Sequence, residues 1–434
     1  MEGFWLRTEL LVLGLLAGLL CSHPSFVTAQ VSNDNNLEAA FIRDGNLWVK
    51  TKDTERQVTR DKSVSSPKWS YDGRWIAYVV TDDTEFHKLN TLRVRNLKTH
   101  QDTMVFAFDK SDSDMNIAWS PNSDILAFQN GTLLNDIDMR NLREQGFRNV
   151  SLGVSQFAWL PDGSGFMVSS SAHLLPDGWT RAHLYTIPLT RDKSLLNHAV
   201  VFYDLPKEVS LSGTTVLAIG TSTFKWSPDR KWIAFIVHPT ASWSADSNIL
   251  CVLSVHDKHL IPIAEMLDRN DWFEWAPKSS ELAFIQGGGR SITENKRIAV
   301  ASAPQFRAVK AFTPKGFVDN AFTWNDDMSL TVSRVREGEF KRKLPLEQLP
   351  SLYNVQLQNK SVHKITTPPE GMGDFQPMWD EKSKHLFWVR SNEGSSSVWR
   401  TDKARQHQTS WIINIDRGQW PPYWSMWNKL LDIQ

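Results

Sequence analysis

Cysteine is nearly absent from this chain: 434 residues hold two, Cys21 and Cys251. A disulfide framework of the kind that staples small secreted domains is therefore excluded. Charge of one sign is not in excess either. Lys plus Arg and Asp plus Glu stand at 48 each, so no global field draws the chain to nucleic acid or to an anionic membrane. The apolar run Leu10–Leu20 falls short of the roughly 20 residues that a helical span requires. Helix-period apolar stripes are not evident after residue 29, which argues against helical repeats. Catalytic signatures are missing as well. There is no Gly-x-Ser-x-Gly elbow; Gly220–Phe224 comes nearest, but it lacks the last glycine and leads into a strand rather than a helix. No phosphate-loop pattern appears, and His256 and His259 have no Cys, His or acid cluster to complete a metal site. The expectation from these absences is a chain that is not an enzyme and holds no metal or cofactor.

The first 29 residues read as a secretory signal peptide. Arg7 supplies positive charge, Leu10–Leu20 the apolar segment, and Val27-Thr28-Ala29 the small residues before a cut at Gln30. The alternative is a retained anchor or a lipid on Cys21, although Leu20 precedes that cysteine where Gly, Ala or Ser is usual. After cleavage near Ala29 only Cys251 remains, in the apolar strand Ile249–Leu253, where it is expected to be buried and inert. An exported protein without disulfides and without an integral span fits a bacterial periplasm or cell surface. No composition break marks a second domain, so residues 30–434 are expected to form one unit, and a monomer.

What is present is a short phrase that recurs eight times. It reads KWSYDGRWIAY at Lys68–Tyr78, AWSPNSDILAF at Ala118–Phe128, AWLPDGSGFMV at Ala158–Val168, KWSPDRKWIAF at Lys225–Phe235 and EWAPKSSELAF at Glu274–Phe284. Weaker copies begin at Thr323, Met378 and Tyr423. The anchors Trp69, Trp119, Trp159, Trp226, Trp275, Trp324, Trp379 and Trp424 are separated by 50, 40, 67, 49, 49, 55 and 45 residues. A period near 40–50 residues points to a propeller or a solenoid.

The inside of the unit decides between them. A strand ends at the Trp, a turn rich in Pro, Asp, Gly, Ser and Asn follows, and an apolar strand begins, which is a hairpin. In seven of the eight units an apolar residue stands seven positions after the Trp; the Trp324 unit has Leu330 one position early, so its turn is one residue shorter. A third strand follows in most units, as at Leu92–Val94, Leu184–Ile187, Ile249–Val252 and Leu352–Val355, and a weaker fourth precedes the next Trp. Four short antiparallel strands per unit make a blade. The fold class is all-β, an eight-bladed β-propeller, with a seven-bladed ring as the alternative. The tryptophans are core residues that wedge between neighbouring sheets, each worth roughly 150–250 Å² of burial.

The mature N-terminus begins out of phase. Ala39–Phe41, Asn46–Val49 and Arg56–Thr59 resemble second, third and fourth strands. The missing first strand is expected from Pro422-Tyr423-Trp424 at the far end, with Leu431 and Ile433 as a partial second strand beside Phe41. A composite blade of both ends would remove the unpaired edges that an open ring exposes.

The W-S-P-D-G-x-x-I-A-F unit, best copied at Trp69 and Trp226, resembles the TolB-type propeller repeat, a relative of the WD repeat, over about residues 39–431. TolB carries an additional α/β domain before its propeller; the few residues between Gln30 and Ala39 leave no room for one, so the resemblance implies a propeller-only protein. The same repeat occurs in propeller domains of prolyl-oligopeptidase-type peptidases. Those need a hydrolase domain, and none is expected within a sequence that ends at Gln434.

Loops between second and third strands share a face with the connections between blades, and such loops carry function on a rigid scaffold. Aromatics and arginines, the types enriched at interfaces, select Phe86, Trp179, Arg181, Trp243, Arg290, Arg336, Phe340 and Arg342 as the candidate binding residues. Arg334 belongs to the same Arg334–Pro350 loop. Gly287-Gly288-Gly289 is read as a flexible hairpin loop, with a backbone cradle for an anion beside Arg290 as the alternative. The expected function is an exported, non-catalytic scaffold for a protein or peptide of the bacterial envelope. The alternative is a metal-assisted polysaccharide lyase of the oligogalacturonate type, a reading by analogy with lyases on this propeller type, using His173 and His183.

Overall fold

The computed structural model describes residues 37–434 apart from 61–62, 84–87, 110–114, 142–145, 190–197, 307–309, 339–348, 403–406 and 419–425. Eight antiparallel sheets follow one another along the chain and form an eight-bladed β-propeller. Their inner strands are Leu431–Ile433, Val64–Trp69, Ile117–Trp119, Gln156–Trp159, the pair Gly220–Thr221 and Lys225–Trp226, Phe273–Trp275, Phe317–Asp326 and Gly373–Asp380. We number these blades 1 to 8.

The repeat spacing is the strand register. Trp69 pairs with Ile76, Trp119 with Leu126, Trp159 with Phe166, Trp226 with Ile233, Trp275 with Leu282 and Trp379 with Leu386. The shorter turn of blade 7 places Trp324 opposite Leu330. The turn residues set this register. In blade 2, Ser70 Oγ accepts the Trp75 N–H at 3.0 Å and the Asp72 carboxylate accepts the Arg74 N–H at 3.0 Å. Gly73 sits at φ +71°, a left-handed conformation that costs glycine little. Sheets packed on both faces need apolar residues at every position, and the strand Asn248–Ser254 is buried throughout, Cys251 included.

Neighbouring blades are sealed by the indoles. Trp119 Nε1–H donates to the Lys68 carbonyl at 3.0 Å and Trp159 to Ala118 at 3.0 Å. Trp275 donates to Lys225 at 2.9 Å, Trp324 to Glu274 at 3.0 Å and Trp69 to Asp432 at 3.2 Å. Each acceptor is the residue just before the corresponding inner-strand position of the preceding blade. Two indoles depart from this relay. Trp379 turns its N–H to Glu381 of its own turn at 3.0 Å. Among the described residues the buried N–H of Trp226 meets no acceptor; the inner strand of blade 5 is interrupted between Thr221 and Lys225, and Thr223 Oγ1 bonds the blade 4 backbone at Phe157 O.

The two chain ends do share blade 1, in the order Thr54–Gln57, Asn46–Thr51, Glu38–Arg43, Leu431–Ile433. The closing strand differs from the expected one. Leu431, Asp432 and Ile433 pair with Phe41, Ala40 and Ala39, so Leu431–Ile433 is itself the inner strand, and residues 422–424 lie outside the described residues. The seven-residue spacing from Trp424 to Leu431 predicts one more hairpin, whereas Leu431 pairs across the ring closure. Blade 8 is tied to blade 1 by Arg43 Nη2, which donates to Ile413 O at 2.6 Å, and by the Asp44 and Gly45 N–H groups, which donate to the Asp416 carboxylate at 2.7 and 2.8 Å.

Candidate binding face

Chain direction puts the second-to-third-strand loops and the inter-blade connections at one end of the ring. Over blades 4 to 7 these loops are bonded to one another. Ala172 N–H donates to Ile219 O at 2.8 Å, Gly289 N–H to Asp246 O at 2.7 Å, and Gly338 N–H to Thr293 O at 3.2 Å. Asn295 N–H donates to Glu337 Oε1 at 2.8 Å, and Arg297 reaches Glu337 Oε2 at 3.2 Å. Backbone bonds between loops remove the freedom that a single long hairpin keeps, so this face is a platform.

The predicted residues fall on it unevenly. Phe86, Phe340 and Arg342 lie outside the described residues. Trp243 lies in a short helical turn, Ala241–Ser244, and is 45% exposed. Arg181 and Arg336 are exposed. Trp179 is half-buried, paired with Leu174 in a two-residue ribbon and packed against the blade 4–5 core. Leu174 and Leu175 of that ribbon are 64% and 50% exposed; sequence reasoning passed over them. Arg290 is already engaged, its Nε donating to Asp246 Oδ1 at 2.8 Å and its Nη2 meeting Oδ2 at 2.5 Å. The guanidinium holds the Asp246 carboxyl below its usual range.

Two readings of this face are corrected. The triple glycine is no anion cradle. The carbonyls of Gly288 and Gly289 point inward to Lys296 Nζ at 2.9 Å each, with Glu294 O at 3.1 Å. Lys296 is fully buried, and burial lowers its ammonium to about 8, so it stays charged at neutral pH with all three N–H groups used. Gly287 at φ +128° has its missing Cβ only 1.6 Å from Asn295 O, so any side chain there would displace the loop. Arg334 is not a loop residue either. It lies in the strand Ser329–Arg336, and its Nε and Nη2 grip the buried Asp319 at 2.6 and 2.9 Å.

Blade 8 repeats the pair with Asp374 and Arg390 at 2.7 and 2.9 Å, and Trp388 Nε1 also donates to Asp374 at 2.9 Å. A signal for both pairs was present: Asp319 and Asp374 each stand five residues before a repeat tryptophan. Between blades 5 and 6 lies a cavity of about 540 Å³ lined by Glu265, Asn295, Arg297 and Gly288, with Ser212 and Thr214 of the Glu208–Leu217 ribbon over it. Glu265 accepts the Ser247 hydroxyl at 2.6 Å and the Thr214 hydroxyl at 3.4 Å.

The histidines do not assemble. His183 Nδ1 pairs with Asp204 at 2.7 Å, His173 is exposed, and among the described residues no group of three His, Cys, Asp or Glu side chains is placed to hold a metal. Among the same residues no helix is long and apolar enough to cross a membrane.

No family model matches the chain, and no curated protein matches its sequence. Solved structures do share the fold. Puromycin hydrolase, in its S511A form complexed with PGG, is 12% identical with a TM-score of 0.51, over 82% of this chain and 55% of that one. Dipeptidyl peptidase 4 of Porphyromonas gingivalis is 9% identical with a TM-score of 0.55, over 88% and 58%. TolB of Acinetobacter baumannii is 15% identical with a TM-score of 0.34, over 64% and 63%. The chain spans little more than half the length of the two hydrolases. The similarity is confined to their propeller part. The expected non-catalytic envelope scaffold is therefore overturned: the ring that this chain resembles is found in peptidases.

Proposed function

We propose that the ring is the propeller part of a peptidase-type enzyme. Its loop face over blades 4 to 7 meets a hydrolase unit, on the same polypeptide or on a second one, and peptide substrate is held between the two. The observation that carries this reading is the platform itself: loops of four blades bonded edge to edge, with Leu174, Leu175 and Trp243 exposed upon it. Apolar side chains held out on rigid loops fit an interface better than a solvated surface. The fold shared with puromycin hydrolase and dipeptidyl peptidase 4 supports the peptidase class. Arg181 and Arg336 supply cations at the rim, and the Glu265–Arg297 cavity supplies a carboxylate and a guanidinium for the two ends of a short peptide. The TolB-type repeat and the leader at residues 1–29 add export to this proposal.

The test is capture of the chain from its native source followed by labelling with a fluorophosphonate, which marks activated serines. A labelled hydrolase that accompanies the wild type, or labelling of a longer form of this chain, is expected. A Leu174→Asp/Trp243→Asp variant with an unchanged circular dichroism spectrum should lose a separate hydrolase. In a contiguous one it should lower peptide turnover. No labelled protein with the wild type would overturn the proposal.

A further inference from the structure

Every inner strand has one position that pairs with the second residue of the next strand. In blades 2 to 8 it is tryptophan. In blade 1 it is Ile433, opposite Ala39. The residue before it behaves as its counterparts do, since the Asp432 carbonyl accepts the Trp69 indole N–H as Lys68, Ala118, Lys225 and Glu274 accept theirs. Among the described residues Ile433 therefore stands where the other blades have an indole, at the seam between blades 8 and 1. Isoleucine is smaller than tryptophan and has no N–H. Among the described residues no side chain donates to the Met378 carbonyl, which is the acceptor that the relay would use here.

A cavity of about 280 Å³ occupies this seam, near the lower end of the size range of small-molecule sites. Met378, Trp379, Trp427 and Ile433 give it apolar walls, and Lys68, Asp380 and Asp432 give it charge. The Trp379 N–H is turned away to Glu381, which leaves its ring as wall. Asp432 is spoken for, since Oδ2 accepts the Trp69 backbone N–H at 2.8 Å. Among the described residues Lys68 makes no direct ion pair; the Asp432 carboxyl attracts it only at longer range, so its ammonium has a direct contact left to give.

We propose that this cavity binds a flat aromatic ring of indole size that carries a carboxylate. The ring replaces the missing indole, its N–H donates to the Met378 carbonyl, and the acid pairs with Lys68. Stacking and edge contacts with Trp379 and Trp427 are the usual means of holding such rings, and a charge-assisted bond is the stronger kind. The proposal is independent of the peptidase reading, because the site lies in the ring seam and uses none of the loop-face residues.

The experiment is calorimetric titration of the full chain with indole-3-acetate and with indole. Indole-3-acetate should bind, and indole should bind about tenfold more weakly, equivalent to about 1.4 kcal/mol. Lys68→Gln should abolish that difference and leave ring binding intact. Ile433→Trp should abolish binding of both probes and raise the unfolding midpoint, because the chain then supplies the indole itself. Where that variant does not fold, Ile433→Phe fills the same space with the same expected loss of binding. The proposal is overturned if neither probe binds wild type at millimolar concentration. It is equally overturned if the filled variant, folded, binds as wild type does, or if Lys68→Gln keeps the preference for the acid.

Discussion

Trp119 and Trp226 occupy the same repeat position and are both half-buried, yet replacing each by phenylalanine should have different consequences. Both substitutions remove the same indole ring edge, so the loss of apolar contact is similar. Trp119→Phe also removes the 3.0 Å bond to the Lys68 carbonyl, worth about 1 kcal/mol net. Trp226→Phe removes a buried N–H that has no acceptor among the described residues, and such an orphan costs the folded state about 1–3 kcal/mol. The two effects have opposite sign. Trp119→Phe should therefore be the more destabilising by about 2–4 kcal/mol, and Trp226→Phe close to neutral. Urea unfolding followed by far-ultraviolet circular dichroism reads this directly, because that signal does not depend on the removed chromophore. Equal urea dependence in the two variants makes their midpoints comparable. Equal midpoints, or a lower one for Trp226→Phe, would refute the reasoning that the relay bonds hold neighbouring blades together.

Asp374→Asn should cost about 3–5 kcal/mol in the same assay, because it strands the buried Arg390 guanidinium without its carboxylate; a loss below 1 kcal/mol would place the pair among weak surface bridges. Lys296 carries a pH dependence of definite sign. Its pKa falls from the ordinary 10.5 to about 8 in the folded chain, so between those values the unfolded chain binds more protons and stability rises with pH. Lys296→Met should remove that rise, and an identical pH profile for variant and wild type from pH 8 to 10.5 would sink it. Cys251 is fully buried and its thiol is pushed up by burial. It should resist dithionitrobenzoate in the native chain and react once urea unfolds it, whereas rapid native labelling would show that blade 5 opens.

Much of the ring was legible because its information is local. A tryptophan, a Ser–Asp–Gly turn and an apolar residue seven places on specify a hairpin by turn geometry alone, and the pairing of Trp69 with Ile76 or Trp226 with Ile233 follows. Even the shorter turn of blade 7 could be read from Leu330. The candidate face was legible only as an address. Loop composition selected Arg290, but not that Asp246 on the neighbouring loop would engage it.

Sequence by itself determined the all-β repeat, the register of seven hairpins and the sharing of blade 1 between both chain ends, and left seven or eight blades open. Tertiary structure decided that Leu431–Ile433 is the inner strand of blade 1, since the pairing of Ala39 with Ile433 joins the two ends of the chain and leaves no local pattern. It also decided that Lys296 and Arg334 are interior, because their partners are a set of loop carbonyls and an aspartate of the preceding strand. A side chain's partners become known only when segments remote along the chain are packed together, and that packing turned Arg334, expected in a loop, into an interior cation.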